Sequence, residues 1–95
     1  MKYGEDRTRI LLIEDNPADV FLIKEAMRAH GIDFDLHWLS DGEEALGHVE
    51  GFEAASRLPQ LILLDLNLPK VDGKELLTRI RSNRYLSKTP VVILT

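Results

Sequence analysis

The chain has 95 residues, enough for one small domain around a single hydrophobic core, and we treat residues 1–95 as that domain. It is acidic, with 12 Lys and Arg against 16 Asp and Glu and a net charge of -4, which argues against an extended nucleic-acid-binding surface. The absence of cysteine excludes disulfides and thiol chemistry, and the apolar runs are too short for a membrane span or a signal peptide, so we expect a cytoplasmic protein.

The first predicted elements are a buried strand and a helix, joined by a short acidic turn. The apolar run Ile10–Ile13 is typical of a strand buried on both faces of a parallel sheet, and it ends at Glu14–Asp15. Asn16–Pro17 combines a preferred N-cap residue with proline at the first helical position, which predicts the start of a helix. Gly31 is typical of the end of that helix.

A half-exposed strand and a second helix are predicted next. Residues 34–38 alternate between apolar and polar side chains, and we interpret Trp38 as part of the sheet packing rather than as a binding surface. Ser40 or Asp41 is a suitable N-cap for the helix that follows. The segment Phe52–Pro59 shows no firm period and is interpreted as a helix tail and a loop.

Two more apolar runs complete the predicted sheet. Leu61–Leu64 ends at Asp65, and the loop Leu66–Gly73 leads from there into an amphipathic helix. Val91–Leu94 is a third run of the buried type, and it ends at Thr95.

The predicted element order is β-α-β-α-β-α-β, which favours a three-layer α/β/α fold around a parallel sheet. The carboxyl ends of parallel strands meet at one edge, so Glu14, Asp15, Asp65 and the hydroxyl of Thr95 are expected in one shallow pocket. Acids after strands often serve only as helix caps, but their coincidence at several strand ends favours a site. Crowded carboxylates repel one another unless a cation neutralises them, and Mg²⁺ prefers oxygen ligands. A carboxylate beside such an ion can attack phosphorus.

Three segments of the chain resemble CheY-like response-regulator receiver domains. Ile10–Asn16 is similar to the first strand and acid pair of that family, and Pro90–Thr95 to its fourth strand with a terminal Ser or Thr. Leu63–Pro69, followed by Asp72–Gly73, is similar to its phosphorylation-site strand and loop. Glu14–Asp19 and Asp65–Pro69 are most similar to phytochrome-associated response regulators. The resemblance implies a flavodoxin-like fold with the strand order 2-1-3-4-5.

The resemblance also implies a function, that of a phosphoacceptor in a two-component phosphorelay, which is a signalling role rather than an enzymatic one. Asp65 would accept the phosphoryl group, and Thr95 would contact it. Asp15 and Asp65 would ligate Mg²⁺ directly, Glu14 through a water and Asn67 through its backbone carbonyl. The implied partners are a sensor histidine kinase, of the phytochrome type, and a downstream protein, with no nucleic acid and no membrane.

One departure from the family pattern concerns the C-terminal part. The family has a fifth strand, which ends in a Lys that pairs with the phosphoryl oxygens, and a fifth helix. The chain stops at Thr95, so we expect a C-terminally incomplete domain without these elements. Val91–Leu94 would then be an exposed apolar edge through which copies of the chain can pair, and phosphorylation of Asp65 would be impaired.

Two other functions remain open at this point. A receiver-shaped interaction module without phosphorylation is compatible with the missing Lys, although the retained carboxylates argue against it. A phosphotransferase of the haloacid-dehalogenase type also uses an Asp nucleophile and Mg²⁺, but Asn67 stands where that chemistry needs a second acid. The spacing of the three histidines matches no zinc-ligand pattern.

Overall fold

The computed structural model describes residues 7–53 and 57–94 and has the three-layer α/β/α arrangement that the sequence predicts. All neighbouring strands are parallel, and their order is the one expected for the first four strands of a receiver fold. None of the helices in the described parts of the chain is long and apolar enough to cross a membrane. In chain order the elements are β1 (Thr8–Ile13), α1 (Pro17–Ala29), β2 (Phe34–Leu39), α2 (Gly42–Glu50), β3 (Leu61–Leu64), α3 (Gly73–Ser82) and β4 (Val91–Ile93), and the sheet order is β2-β1-β3-β4.

Alternate residues of β1 enter two separate cores. Leu11 and Ile13 belong to the core that α2 and α3 cover, whereas Ile10 and Leu12 belong to the core that α1 covers. The prediction that this strand is buried on both faces is therefore confirmed. Each fully buried aliphatic side chain contributes about 1.5–3 kcal/mol, so the central strands are held firmly up to the ends where the acids follow.

Helix α1 begins and ends where its sequence signals predict. The side chain of Asn16 accepts a hydrogen bond from the amide N–H of Ala18 at 2.9 Å, which satisfies one of the free donors of the first turn. At the other end Gly31 has a φ of 71°, and the amide N–H of Ile32 donates to the carbonyl of Met27 at 3.0 Å. Glycine reaches this left-handed conformation without steric cost. The start of α1 is thus fixed directly behind the acidic turn.

Helix α2 is confirmed as a helix, with Asp41 as its N-cap. The amide N–H of Glu44 donates to Oδ1 of Asp41 at 2.7 Å, and the carboxylate of Glu44 accepts from the amide N–H of Ser40 at 3.2 Å. The helix ends at Glu50, so the predicted helix tail is wrong for the described residues of the segment Phe52–Pro59, which form a loop. Gly51 follows the last helical residue, and its low helix propensity favours the early stop.

Strand β4 pairs with β3 as predicted, but its burial differs from the expectation. Val92 and Ile93 are 47% and 40% exposed, although their composition is typical of a buried strand. The reason is topological, because β4 lies at the edge of the described sheet and has β3 as its strand neighbour on one side. Beyond the strand, the amide N–H of Leu94 donates to the carbonyl of Leu64 at 2.9 Å.

Candidate functional site

The site is built where β1 and β3 end beside each other. Ile13 and Leu64 are register partners in the parallel ladder, so the next residues along the two strands, Glu14 and Asp65, leave the sheet at the same level. The amide N–H of Asp65 still donates to the carbonyl of Ile13 at 3.0 Å, and that of Glu14 to the carbonyl of Leu39 at 3.2 Å. The sheet hydrogen bonding therefore extends into the site and positions both acidic residues.

Three carboxylates meet at this point. Glu14, Asp15 and Asp65 each offer an oxygen atom, and these atoms all lie within 4.8 Å of one another. Glu14 and Asp65 are only 3% and 6% exposed, whereas Asp15 lies at the surface. A hard divalent cation fits this donor set, because such ions bind carboxylate oxygens and retain water molecules as their other ligands. The structure thus brings together the three acids that the sequence places at strand ends.

The crowding of the carboxylates affects the pKa of Glu14. Burial raises the pKa of its carboxyl group from 4.5 to about 7, the amide N–H of Asn16 opposes this, and the neighbouring Asp65 raises the pKa further. The Asn16 amide lies 3.2 Å from Oε2 of Glu14. Because several negative charges in one buried space repel one another, a proton or a cation stabilises the cluster.

The loop that follows β3 orients Asp65. Its Oδ1 accepts a hydrogen bond from the amide N–H of Asn67 at 2.8 Å. The same loop lies against the first residue of α3, because a β-carbon on Gly73 would lie 2.5 Å from the α-carbon of Leu66. Real β-carbons do not approach a backbone so closely, so this position needs glycine. The expected role of the Asn67 carbonyl as a metal ligand stays a prediction.

Thr95, predicted to contact the phosphoryl group, lies outside the described residues. The preceding residue, Leu94, is bonded through its amide to the carbonyl of Leu64, the residue before Asp65. The chain therefore approaches the site along β3 as the sequence predicts, and the role of Thr95 stays a prediction.

Trp38 contacts the site in a way that the sequence interpretation missed. Its indole N–H donates to the backbone carbonyl of Glu14 at 2.6 Å, while its side chain remains 37% exposed. The interpretation as sheet packing is therefore incomplete. The available signal was positional, because Trp38 stands near the carboxyl end of the strand that pairs with β1.

Comparison with known proteins agrees with the fold and with the site. Residues 10–95 match the response regulator receiver domain family. The chain is 47% identical over 88 residues to response regulator Rcp1 of Synechocystis sp. (strain ATCC 27184 / PCC 6803 / Kazusa), covering 90% of the chain and 60% of that protein. It is 46% identical over 93 residues to the probable methanogenesis regulatory protein FilR2 of Methanothrix harundinacea (strain 6Ac), covering 97% and 60%. The chain spans about 60% of the length of these curated relatives.

Solved structures give the same assignment. The phosphorylated cyanobacterial phytochrome response regulator RcpA superimposes with a TM-score of 0.78 at 43% identity, covering 92% of this chain and 64% of that one. The receiver domain of sensor histidine kinase PA1611 from Pseudomonas aeruginosa PAO1, which has a magnesium ion coordinated in its active site cleft, gives a TM-score of 0.76 at 29% identity, covering 94% and 67%. By sequence, by strand order and by the acidic cluster at its strand ends, the chain belongs to the response regulator receiver domain family.

Proposed function

We propose that the chain acts as the phosphoacceptor of a two-component signalling system, with Asp65 as the residue that receives the phosphoryl group. The observation that carries this proposal is the carboxylate cluster at the adjoining ends of β1 and β3. Asp65 is one of its two buried members, and its Oδ1 accepts a hydrogen bond from the loop that follows it. This is a signalling role, in which the protein itself is modified and no separate substrate is turned over.

The chemistry assigned to Asp65 is nucleophilic attack on phosphorus. One carboxylate oxygen forms a new P–O bond while the P–N bond of a phosphohistidine breaks, and the bonding electron pair leaves with the imidazole nitrogen. The hydrogen bond from Asn67 to Oδ1 limits the rotation of the carboxylate and so favours a defined direction of attack.

We propose Mg²⁺ as the cation of the cluster, with Asp15 and Asp65 as direct ligands, Glu14 acting through a water and the carbonyl of Asn67 as a further ligand. The buried carboxylates and the raised pKa of Glu14 support a requirement for positive charge at this position. When bound, Mg²⁺ neutralises charge on the phosphoryl oxygens during transfer. The magnesium ion in the active site cleft of PA1611 supports the choice of metal.

The proposed partners are a sensor histidine kinase as phosphoryl donor and a downstream protein as receiver of the signal. The similarity to Rcp1 and to the phytochrome response regulator RcpA supports a kinase of the phytochrome type. We place the protein in the cytoplasm, as its cysteine-free sequence and its membership of the receiver domain family suggest.

The test is phosphorylation of the chain by acetyl phosphate in the presence of Mg²⁺, followed by intact-mass spectrometry. We expect incomplete modification of the native chain by one phosphoryl group, in line with the impairment expected from the sequence, none on Asp65→Asn and a further reduction in Asp15→Asn. Asp35→Asn is the matched control, because Asp35 is an exposed acid on β2 outside the carboxylate cluster. A folded native chain that binds Mg²⁺ and stays unmodified would instead support an interaction module without phosphorylation.

A further inference from the structure

The contact between Trp38 and Glu14 links the edge of the sheet to the acidic cluster. Trp38 pairs with Leu12 in the register of β1 and β2, two residues before Glu14. Its indole N–H reaches past the end of the strand and donates to the main-chain carbonyl of Glu14 at 2.6 Å. The acceptor is a backbone atom, so this hydrogen bond restrains the backbone of the site rather than a side chain.

The indole supplies a donor at a point where regular strand pairing stops. The pairing of β1 with β2 ends at Ile13 and Leu39, and the amide N–H of Glu14 makes a last bond to the carbonyl of Leu39 at 3.2 Å. Beyond that point β2 turns away into the cap of α2. Buried carbonyls need partners, and the side chain of Trp38 provides one for Glu14. The last two residues of β2 therefore hold both the amide and the carbonyl of Glu14.

This bond bears on Asp15 through the geometry of the peptide group. The carbonyl of Glu14 and the amide of Asp15 belong to one planar unit, so a fixed carbonyl direction fixes the plane from which Asp15 continues. Asp15 is the exposed member of the cluster, so packing restrains its side chain less than those of Glu14 and Asp65. Mg²⁺ requires nearly octahedral ligand geometry, so small displacements of one carboxylate reduce affinity.

We propose that Trp38 is a positioning residue of the cation site, which orients the Glu14–Asp15 peptide so that the carboxylate of Asp15 is ready to receive the metal. The inference rests on the proposed function only in taking the carboxylate cluster as a cation site. It extends the site to a side chain on β2 that donates no ligand atom.

Trp38 is also the spectroscopic probe for the test, because it is the single tryptophan of the chain. The indole N–H therefore gives one unambiguous proton–nitrogen cross-peak in NMR spectra of the native protein. We expect this peak to move during a Mg²⁺ titration and to saturate at the concentrations at which calorimetry shows binding. A peak that stays unmoved at saturating Mg²⁺ would show that the indole N–H does not sense the cation site, and it would contradict the positioning role.

Trp38→Phe keeps an aromatic ring and removes the N–H. Loss of one hydrogen bond that orients a ligand is expected to weaken Mg²⁺ binding about three- to tenfold in calorimetry. Phe34→Leu is the matched control, since Phe34 lies on the same strand and the same side of the sheet but distant from Glu14 along β2. It should bind Mg²⁺ as the native chain does. If Trp38→Phe does not fold, benzothienylalanine can be incorporated at position 38 instead, because it keeps the shape of the indole and has sulfur in place of the N–H.

The outcomes separate the two proposals. Unchanged Mg²⁺ affinity in Trp38→Phe, or in the analogue-containing protein, overturns the role of Trp38 while the cation site stands. A folded native chain that binds no Mg²⁺ overturns the cation site itself, and the inference with it. Weaker binding by a variant that is folded at the temperature of the titration, together with a Mg²⁺-dependent cross-peak in the native chain, supports the positioning role.

Discussion

Glu14 is bonded to two neighbouring parts of the molecule through three different atoms. Its amide is bonded to the carbonyl of Leu39, its carbonyl accepts from Trp38, and its carboxylate accepts from the amide of Asn16. The residue is therefore held by β2 and by the start of α1 at once. Such fixation keeps a carboxyl group beside Asp65 although the two repel each other when both are ionised.

The raised pKa of Glu14 predicts a pH dependence of stability for the metal-free chain. The pKa is about 7 in the folded state and 4.5 ordinarily, so the folded state binds more protons between these values. The stabilisation is complete below pH 4.5 and is lost as the pH rises through 7. With a chelator present, we expect the free energy of unfolding of the native chain to fall on the order of 1–3 kcal/mol more than that of Glu14→Gln over this range. Urea unfolding of both proteins at several pH values measures this difference. Equal changes in the free energy of unfolding of the native chain and of Glu14→Gln would contradict the prediction.

Lys70 has a backbone conformation that its side chain disfavours. Its φ is 73°, in the left-handed region, within the loop between Asp65 and α3. Glycine adopts this conformation without the steric cost that a β-carbon brings. Its larger loss of entropy on folding offsets part of this gain. Lys70→Gly should therefore raise the free energy of unfolding by about 0.5–1 kcal/mol. Lys70→Ala is the control, because it keeps the β-carbon and should leave stability unchanged. Equal urea midpoints for the two variants would show that the conformation carries no strain.

Among the elements, α3 and the loop after β3 depend on each other. Leu76 and Ile80 of α3 are fully buried in the core that also contains Leu64 of β3. The helix starts with Asp72 as its N-cap, whose side chain accepts from the amide N–H of Lys74 at 2.9 Å. The packing of α3 thus presses its first turn against the loop that orients Asp65.

Gly73→Ala is predicted to disturb this contact. The added β-carbon would lie 2.5 Å from the α-carbon of Leu66, so the loop after Asp65 has to move, and we expect a loss of stability of about 1–3 kcal/mol and weaker Mg²⁺ binding. Gly47→Ala is the matched control, because Gly47 lies within α2 and a β-carbon there has no atom within 4 Å other than those of its own helical turn. Since alanine has a higher helix propensity than glycine, this variant should be more stable by about 0.5–1 kcal/mol. Thermal unfolding and calorimetry with Mg²⁺ measure both effects. Tight Mg²⁺ binding by Gly73→Ala would contradict the proposed link between the loop and the site.

At the scale of the whole molecule, the sheet is asymmetric. Its central strands β1 and β3 are covered on both faces, whereas β4 at one edge exposes apolar side chains in the described chain. The site lies at the carboxyl end of the well-buried strands, so the two hydrophobic cores support it from both faces of the sheet. An exposed apolar edge is a place where sheets of different molecules pair.

We predict concentration-dependent association of the 95-residue chain through β4. Val92→Lys places a charge on the edge strand and should shift the chain towards monomer in sedimentation velocity experiments. Ile32→Lys is the control, because Ile32 is an exposed apolar residue outside the sheet, and its replacement should leave association unchanged. A monomeric native chain at all concentrations would refute this prediction.

The elements and the three carboxylates of the site were predictable from the sequence because their signals are local. Asn16 and Asp41 cap helices at the predicted positions, and the apolar runs form β1, β3 and β4. The acids at the strand ends followed from one topological rule, that parallel strands end at a common edge. No long-range distance was needed for any of these predictions.

Tertiary structure alone decided the different environments of the three acids and the contact that Trp38 makes. The burial of Glu14 and the exposure of Asp15, adjacent in sequence, depend on how the chain leaves the sheet. The hydrogen bond from Trp38 to Glu14 joins residues that are 24 positions apart. The left-handed conformation of Lys70 was not predictable either, because the glycine that usually marks such a position is not present there. The sequence by itself determined the fold and the chemical groups of the site. Their exposure, pKa values and support were decided by packing between distant segments, which local patterns do not encode.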